Sequence, residues 1–215
     1  MMGAGEMEFL EKYGWLFLLI AMVGDITVSG ILSLFYKGYS SMKMSISALG
    51  NPNSPVRLPF NIWMILEGLL FLSAVPVMNR LYSPISGGMT KTLIVFIVIF
   101  AIGACIFTGF FSVNESKDVV TMSSKIHGAG SVIGFMLFLF VPLLIGILSI
   151  KNCETGMGIF SIVCFVISMV FFVLFVMSDK PEFQKTFIQN EGLWQRLNLI
   201  FMYLPLIVIS VRHLN

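Results

Sequence analysis

Six stretches of apolar residues, at 13–35, 60–79, 92–112, 128–150, 158–178 and 193–212, take up most of the chain, and shorter polar segments separate them. A helix rises about 1.5 Å per residue, so about 20 apolar residues cross the hydrocarbon core of a bilayer. Each stretch meets that length. The pattern predicts an all-α, polytopic membrane protein, a six-transmembrane-helix bundle that forms a single integral membrane domain over 1–215 and leaves no room for a soluble one.

Within the stretches, small and polar residues recur at helical spacing and so share faces. The first gives Ala21, Asp25, Ser29 and Ser33; the third gives Ala101, Cys105, Thr108 and Ser112. The fourth gives His127, Gly130, Ser131 and Gly134, and the fifth Ser161, Cys164 and Ser168. Small residues let membrane helices approach closely, and Gly130 with Gly134 forms a Gly-x-x-x-Gly pair of that kind.

Composition agrees with the pattern: 57% of residues are hydrophobic and 11% charged, against about 25% charged in a soluble domain. The first stretch is too long for a signal-peptide core and follows Glu6, Glu8 and Glu11 rather than a basic cluster, so it is expected to persist as helix one. A net charge of +2 and the absence of a Lys/Arg run argue against nucleic acid and against a polybasic lipid anchor. Cys105 and Cys164 fall in apolar stretches and Cys153 in a short loop, so no disulfide framework is visible.

An even number of spans puts both termini on one side, called here the terminal face, and the three longer loops, 36–59, 113–127 and 179–192, on the other, the long-loop face. Lys and Arg are spread at similar density over both, and we take the orientation with cytoplasmic termini in the cell membrane. Trp63 and Trp194 near one rim and Trp15 near the other suit interfacial anchors.

Four ionisable residues change the picture. A charge at the centre of a membrane helix costs roughly 2.5 to 3.5 kcal/mol, so it faces protein or water. Asp25 falls about 15 Å below the long-loop face, Glu67 about 10 Å, and Arg196 about 5 Å, while His127 begins helix four at that rim. All four therefore belong to one half of the membrane, where depth allows Glu67 to pair with Arg196 above Asp25.

The chemistry these residues permit is narrow. Two histidines at opposite ends of their helices cannot share a catalytic zinc, and no dinucleotide, phosphate-loop or haem motif is present, so no metal or cofactor is expected. A hydrolase is formally available, with His127 as base, Asp118 or Glu67 as orienting acid and Ser45, Ser47 or Ser131 as nucleophile. No Gly-x-Ser-x-Gly elbow accompanies them.

Three segments on the long-loop face belong together: Ser47-Ala48-Leu49-Gly50 with Pro52 and Asn61, then Lys125-Ile126-His127-Gly128, then Glu191-Gly192-Leu193-Trp194-Gln195-Arg196. Their order resembles the DUF 998 family of bacterial and archaeal six-span membrane proteins, with a looser likeness in layout to Frag/DRAM-type proteins. The resemblance implies one six-helix membrane domain and no established activity, and it points to Ser47, Gly50, Asn61, His127, Gly192 and Arg196.

The expectation is a half-membrane pocket, lined by Asp25, Glu67, His127, Arg196, Ser47 and Asn61, that binds or transports a small polar solute or a lipid headgroup supplied by the surrounding membrane lipid. The alternatives are a membrane-embedded hydrolase using His127 and a non-enzymatic partner subunit whose charges lock the bundle. The residues favour a protein without catalytic activity.

Overall fold

The computed structural model describes residues 4–114 and 120–215. Among them six helices are long and apolar enough to cross a membrane, namely Phe9–Ser33, Arg57–Tyr82, Gly87–Phe110, Met122–Lys151, Thr155–Ser178 and Glu191–Leu214. These are spans one to six, each within a few residues of the apolar stretch that predicts it. The chain is an all-α, multi-pass membrane bundle.

Spans one, five and six are unbroken helices, α1 (Ala4–Ser33), α8 (Thr155–Ser178) and α9 (Glu191–Leu214). Span two is α2 (Arg57–Ser73) and α3 (Val75–Tyr82), and span four is α6 (Met122–Phe138) and α7 (Val141–Lys151). Proline explains both breaks. Pro76 and Pro142 sit at the start of α3 and α7, where each lacks an N–H and its ring would clash with the carbonyl four residues earlier, that of Leu72 and that of Phe138. Span three runs as α4 (Gly87–Ile99), a π-helical stretch (Phe100–Ile106) and α5 (Phe107–Phe110).

In a bilayer, apolar burial does little to drive helices together, and close packing of small side chains does more. Spans three and four touch backbone to backbone at Gly103 and Gly130, where a Cβ on Gly130 would stand 2.7 Å from the Gly103 carbonyl oxygen. Gly134 faces Ala104 in the same seam, so the Gly-x-x-x-Gly pair does pack a helix. Spans four and five meet in the other half of the membrane, at Gly146 and Gly158.

The spans close into a ring in which one packs on two and six, two on three, three on α6, and α7 on five, which packs on six. The two halves of span four therefore serve different neighbours. α6 leans on span three and leaves the long-loop half of α8, so the ring is tight near the terminal face and parted between spans four and five near the long-loop face.

Most of the predicted stripe is buried, namely Ala21, Asp25, Ser29, Ala101, Cys105, Thr108, Ser112, His127, Gly134, Ser161, Cys164 and Ser168, while Ser33, Gly130 and Ser131 are half-buried. Most of their hydroxyls are used locally, as Ser29, Thr108, Ser161 and Ser168 each donate to a carbonyl of their own helix. The tryptophans differ from expectation. Trp15 stacks on His213 and Trp194 donates to the Ile188 carbonyl, both buried in the bundle, and Trp63 fills the space left by Gly24 on span one.

Candidate functional site

Loop one, between spans one and two, folds over the long-loop end of the bundle and carries a short 3-10 turn at Ile46–Gly50. It is fastened to the start of span six. The Arg196 guanidinium donates to the carbonyls of Ser41 at 2.8 Å, Met44 at 3.3 Å and Gly192 at 3.0 Å, and to the Tyr39 hydroxyl at 2.7 Å. Tyr39 in turn donates to the Ser45 carbonyl at 2.9 Å, and burial pushes its hydroxyl above the ordinary phenol range, an effect that Arg196 opposes. Gln195 accepts from the Ile46 N–H at 2.7 Å, and the Leu193 N–H reaches the Met42 carbonyl at 2.9 Å.

Two glycines make this clasp fit. A Cβ on Gly192 would run into the carbonyl oxygens of Met44 and Ser41. One on Gly50 would stand 2.8 Å from the Asn61 amide oxygen and 2.9 Å from the Phe60 ring. The segments around Gly50, Asn61 and Gly192-Arg196 that carry the family resemblance are thus joined in space, as a fastening between loop one and the entrances of spans two and six.

Beneath the loop lies a cavity of about 1010 Å³ to which all six spans contribute. Asp25, Glu67, His127 and Ser47 line it; Arg196 and Asn61 do not. The pairing of Glu67 with Arg196 that depth allows is not made, because the guanidinium turns up to the loop carbonyls.

Deepest in the cavity are two carboxyls. Asp25 is 4% exposed and accepts from the Tyr203 hydroxyl at 2.8 Å. Glu67 is 1% exposed; one oxygen faces the Cys105 thiol at 3.7 Å, and the other makes no hydrogen bond of ordinary length among the described residues, the Trp63 indole N–H being the donor nearest the carboxyl. The π-helical stretch of span three fits one more residue per turn than an α-helix there, and Ala104, Cys105 and Thr108 all reach the cavity wall around it.

Below the carboxyls, Phe71, Phe100, Phe138 and Tyr203 pack ring on ring, from 4.2 Å between Phe100 and Phe138 to 6.4 Å between Phe100 and Tyr203. All four are fully buried and form a floor near mid-membrane.

Near the loop end, His127 Nε2 and Ser131 Oγ lie 3.5 Å apart, at the limit of a hydrogen bond. His127 Nδ1 has no partner among the described residues, so these assemble no third member of a triad; the candidate acid Asp118 lies outside them. No group of three metal-ligating side chains occurs among the described residues.

Sequence reasoning did not find Gln195 or Tyr203 as site residues. Tyr203 lies seven residues beyond Arg196 on one face of span six, and that spacing was the available signal. Nothing in periodicity marks Gln195, whose partner is a loop N–H 149 positions away.

No curated protein and no solved structure matches the chain. A sequence model of the family described as "Protein of unknown function (DUF998)" matches residues 19–212, from the middle of span one almost to the end of span six. With nine-tenths of its length inside that match, the chain belongs to the DUF998 family.

Proposed function

We propose that the protein binds a small polar solute or a lipid headgroup in the half-membrane cavity, with Asp25 and Glu67 as its polar anchors and His127 and Ser47 near its mouth. One observation carries the reading: a fully buried Glu67 oxygen without a hydrogen bond of ordinary length among the described residues, at the wall of a cavity large enough for a ligand. Intramembrane carboxyls are costly, and those of a merely structural bundle pair with one another or with backbone. Cavities of roughly 300 to 1,000 Å³ with a few convergent polar groups are the usual form of a ligand site. In this reading Arg196 serves the site indirectly, by holding loop one across it, and Asn61 by packing against Gly50 of that loop.

The test is thermal stability of the detergent-purified protein against a panel of lipids and small polar metabolites, wild type beside Glu67→Gln. A ligand that binds the folded state raises Tm. The expected result is a shift for one chemical class that the variant loses. No shift across the panel in either protein overturns the pocket and leaves a bundle whose charges only hold it together.

A further inference from the structure

The cavity has a second opening, and its chemistry narrows the ligand. On the α6 side Val132 and Met136 line the cavity and are 57% and 51% exposed. On the α8 side Val176 does the same at 48%. α6 and the long-loop half of α8 make no substantial contact with one another, and this is the seam that the break at Pro142 leaves open between spans four and five. The lining along the seam is largely apolar, with Val132, Met136, Phe172, Phe175 and Val176, and Ser131 and Asp179 beside them towards the long-loop face, so the cavity is open towards lipid as well as towards the long-loop face.

Charge is the second constraint. Asp25 and Glu67 line the cavity between the spans, and among the described residues Lys43 is the lysine that lines it, near the loop. Neither of the two deep carboxyls is bonded to a cation: Asp25 holds a phenol and Glu67 a thiol. Two neighbouring buried carboxyls resist ionising together, and a group that brings hydrogen-bond donors and positive charge between them relieves that. An ammonium supplies both, with three N–H donors and a positive charge. A carboxylate or phosphate supplies neither.

We propose that the ligand is an amphiphile with an ammonium head, which enters from the bilayer between spans four and five, seats its head between Asp25 and Glu67, and leaves its alkyl chain in the seam beside Val132, Met136 and Val176. This deepens the ligand reading above and rests on it. The same head chemistry occurs on an aminophospholipid and on a simple alkylamine, and the two differ in the phosphate that the cavity's acidic lining disfavours.

The experiment uses the full chain in maltoside detergent with matched twelve-carbon probes at low mole fraction: dodecylamine, dodecanol, dodecanoate and a lysophosphatidylethanolamine. Dodecylamine is expected to raise Tm by several degrees in wild type and not in Glu67→Gln, with dodecanol and dodecanoate inactive; whether the lysolipid matches it separates the two sources. In parallel, an alkylamine with a diazirine near its chain end is photolysed and its adducts are mapped by mass spectrometry, with labelling expected at Val132, Met136, Phe175 and Val176. Stabilisation by dodecanol or dodecanoate equal to that by the amine, and lost in Glu67→Gln, keeps the pocket and overturns the ammonium. Adducts confined to other faces of the bundle overturn the lateral entry. No stabilisation by any probe, with no adduct in the cavity, overturns the pocket and this inference together.

Discussion

Replacing Arg196 with Met keeps most of the side-chain stem and removes the guanidinium that fastens loop one. Of its four hydrogen bonds, that to the Gly192 carbonyl lies within its own helix turn, and that to Met44 is long at 3.3 Å. The bonds that bridge to the loop at good distance are those to Ser41 at 2.8 Å and Tyr39 at 2.7 Å. A hydrogen bond to a charged group contributes about 1.5 to 3 kcal/mol, and two at a half-buried, partly hydrated rim amount to roughly 2 to 4 kcal/mol after discounting for water that replaces them. That energy holds the loop rather than the whole bundle, so a local assay reads it. Loop one carries Lys37 and Lys43, and trypsin cuts there only after the segment opens. When closing outruns cleavage, the rate follows the open population, so a loss of about 2 kcal/mol speeds cutting roughly thirty-fold. Arg196→Met is expected to be cut at least that much faster at Lys43, with cleavage on the terminal face unchanged. Equal rates in both proteins would mean that the clasp contributes nothing, and the assignment of Arg196 to the loop rather than the pocket would lose its energetic basis.

Two further outcomes follow from the packing and the clasp. Gly130→Val drives a side chain into the Gly103 carbonyl and is expected to cost about 1 to 3 kcal/mol or more, whereas Gly128→Val, where a Cβ meets nothing within 4 Å, should be near neutral; the difference in Tm between the two variants checks this. Tyr39 has a hydroxyl raised above its ordinary value of 10.0, so the unfolded chain ionises it first, its contribution is fully present below pH 10, and it is lost as pH rises further. Melting curves from pH 8 to pH 11 should fall at the alkaline end more steeply for wild type than for Tyr39→Phe.

The spans were legible because a bilayer demands a fixed length of apolar helix, and that demand is written as run length. The depth of each ionisable residue followed by counting, which is why Asp25, Glu67 and His127 were expected near one another, and all three line the cavity. Azimuth was not legible. In a membrane both the lipid-facing and the buried sides of a helix are apolar, so the contrast that orients a soluble helix is weak, and Arg196 could not be told to turn towards Ser41 rather than Glu67. The clasp was hidden for another reason: Gln195 to Ile46 and Arg196 to Tyr39 join residues about 150 positions apart through loop backbone, which has no period to read. The prolines at 76 and 142 announced breaks in principle, but only the packed structure reveals that the break in span four assigns its two halves to different neighbours.

The ring-on-ring floor of Phe71, Phe100, Phe138 and Tyr203 makes the chamber a blind alley. On the proposed reading, a molecule seated between the carboxyls meets this wall and leaves on the long-loop side of it, by the mouth under loop one or by the seam. In this conformation the protein can hold, hide or present a molecule to one leaflet, but carriage to the opposite compartment demands that four interlocked aromatic side chains part together. Tyr203 would have to release Asp25 in that event, since its hydroxyl is bound to that carboxyl.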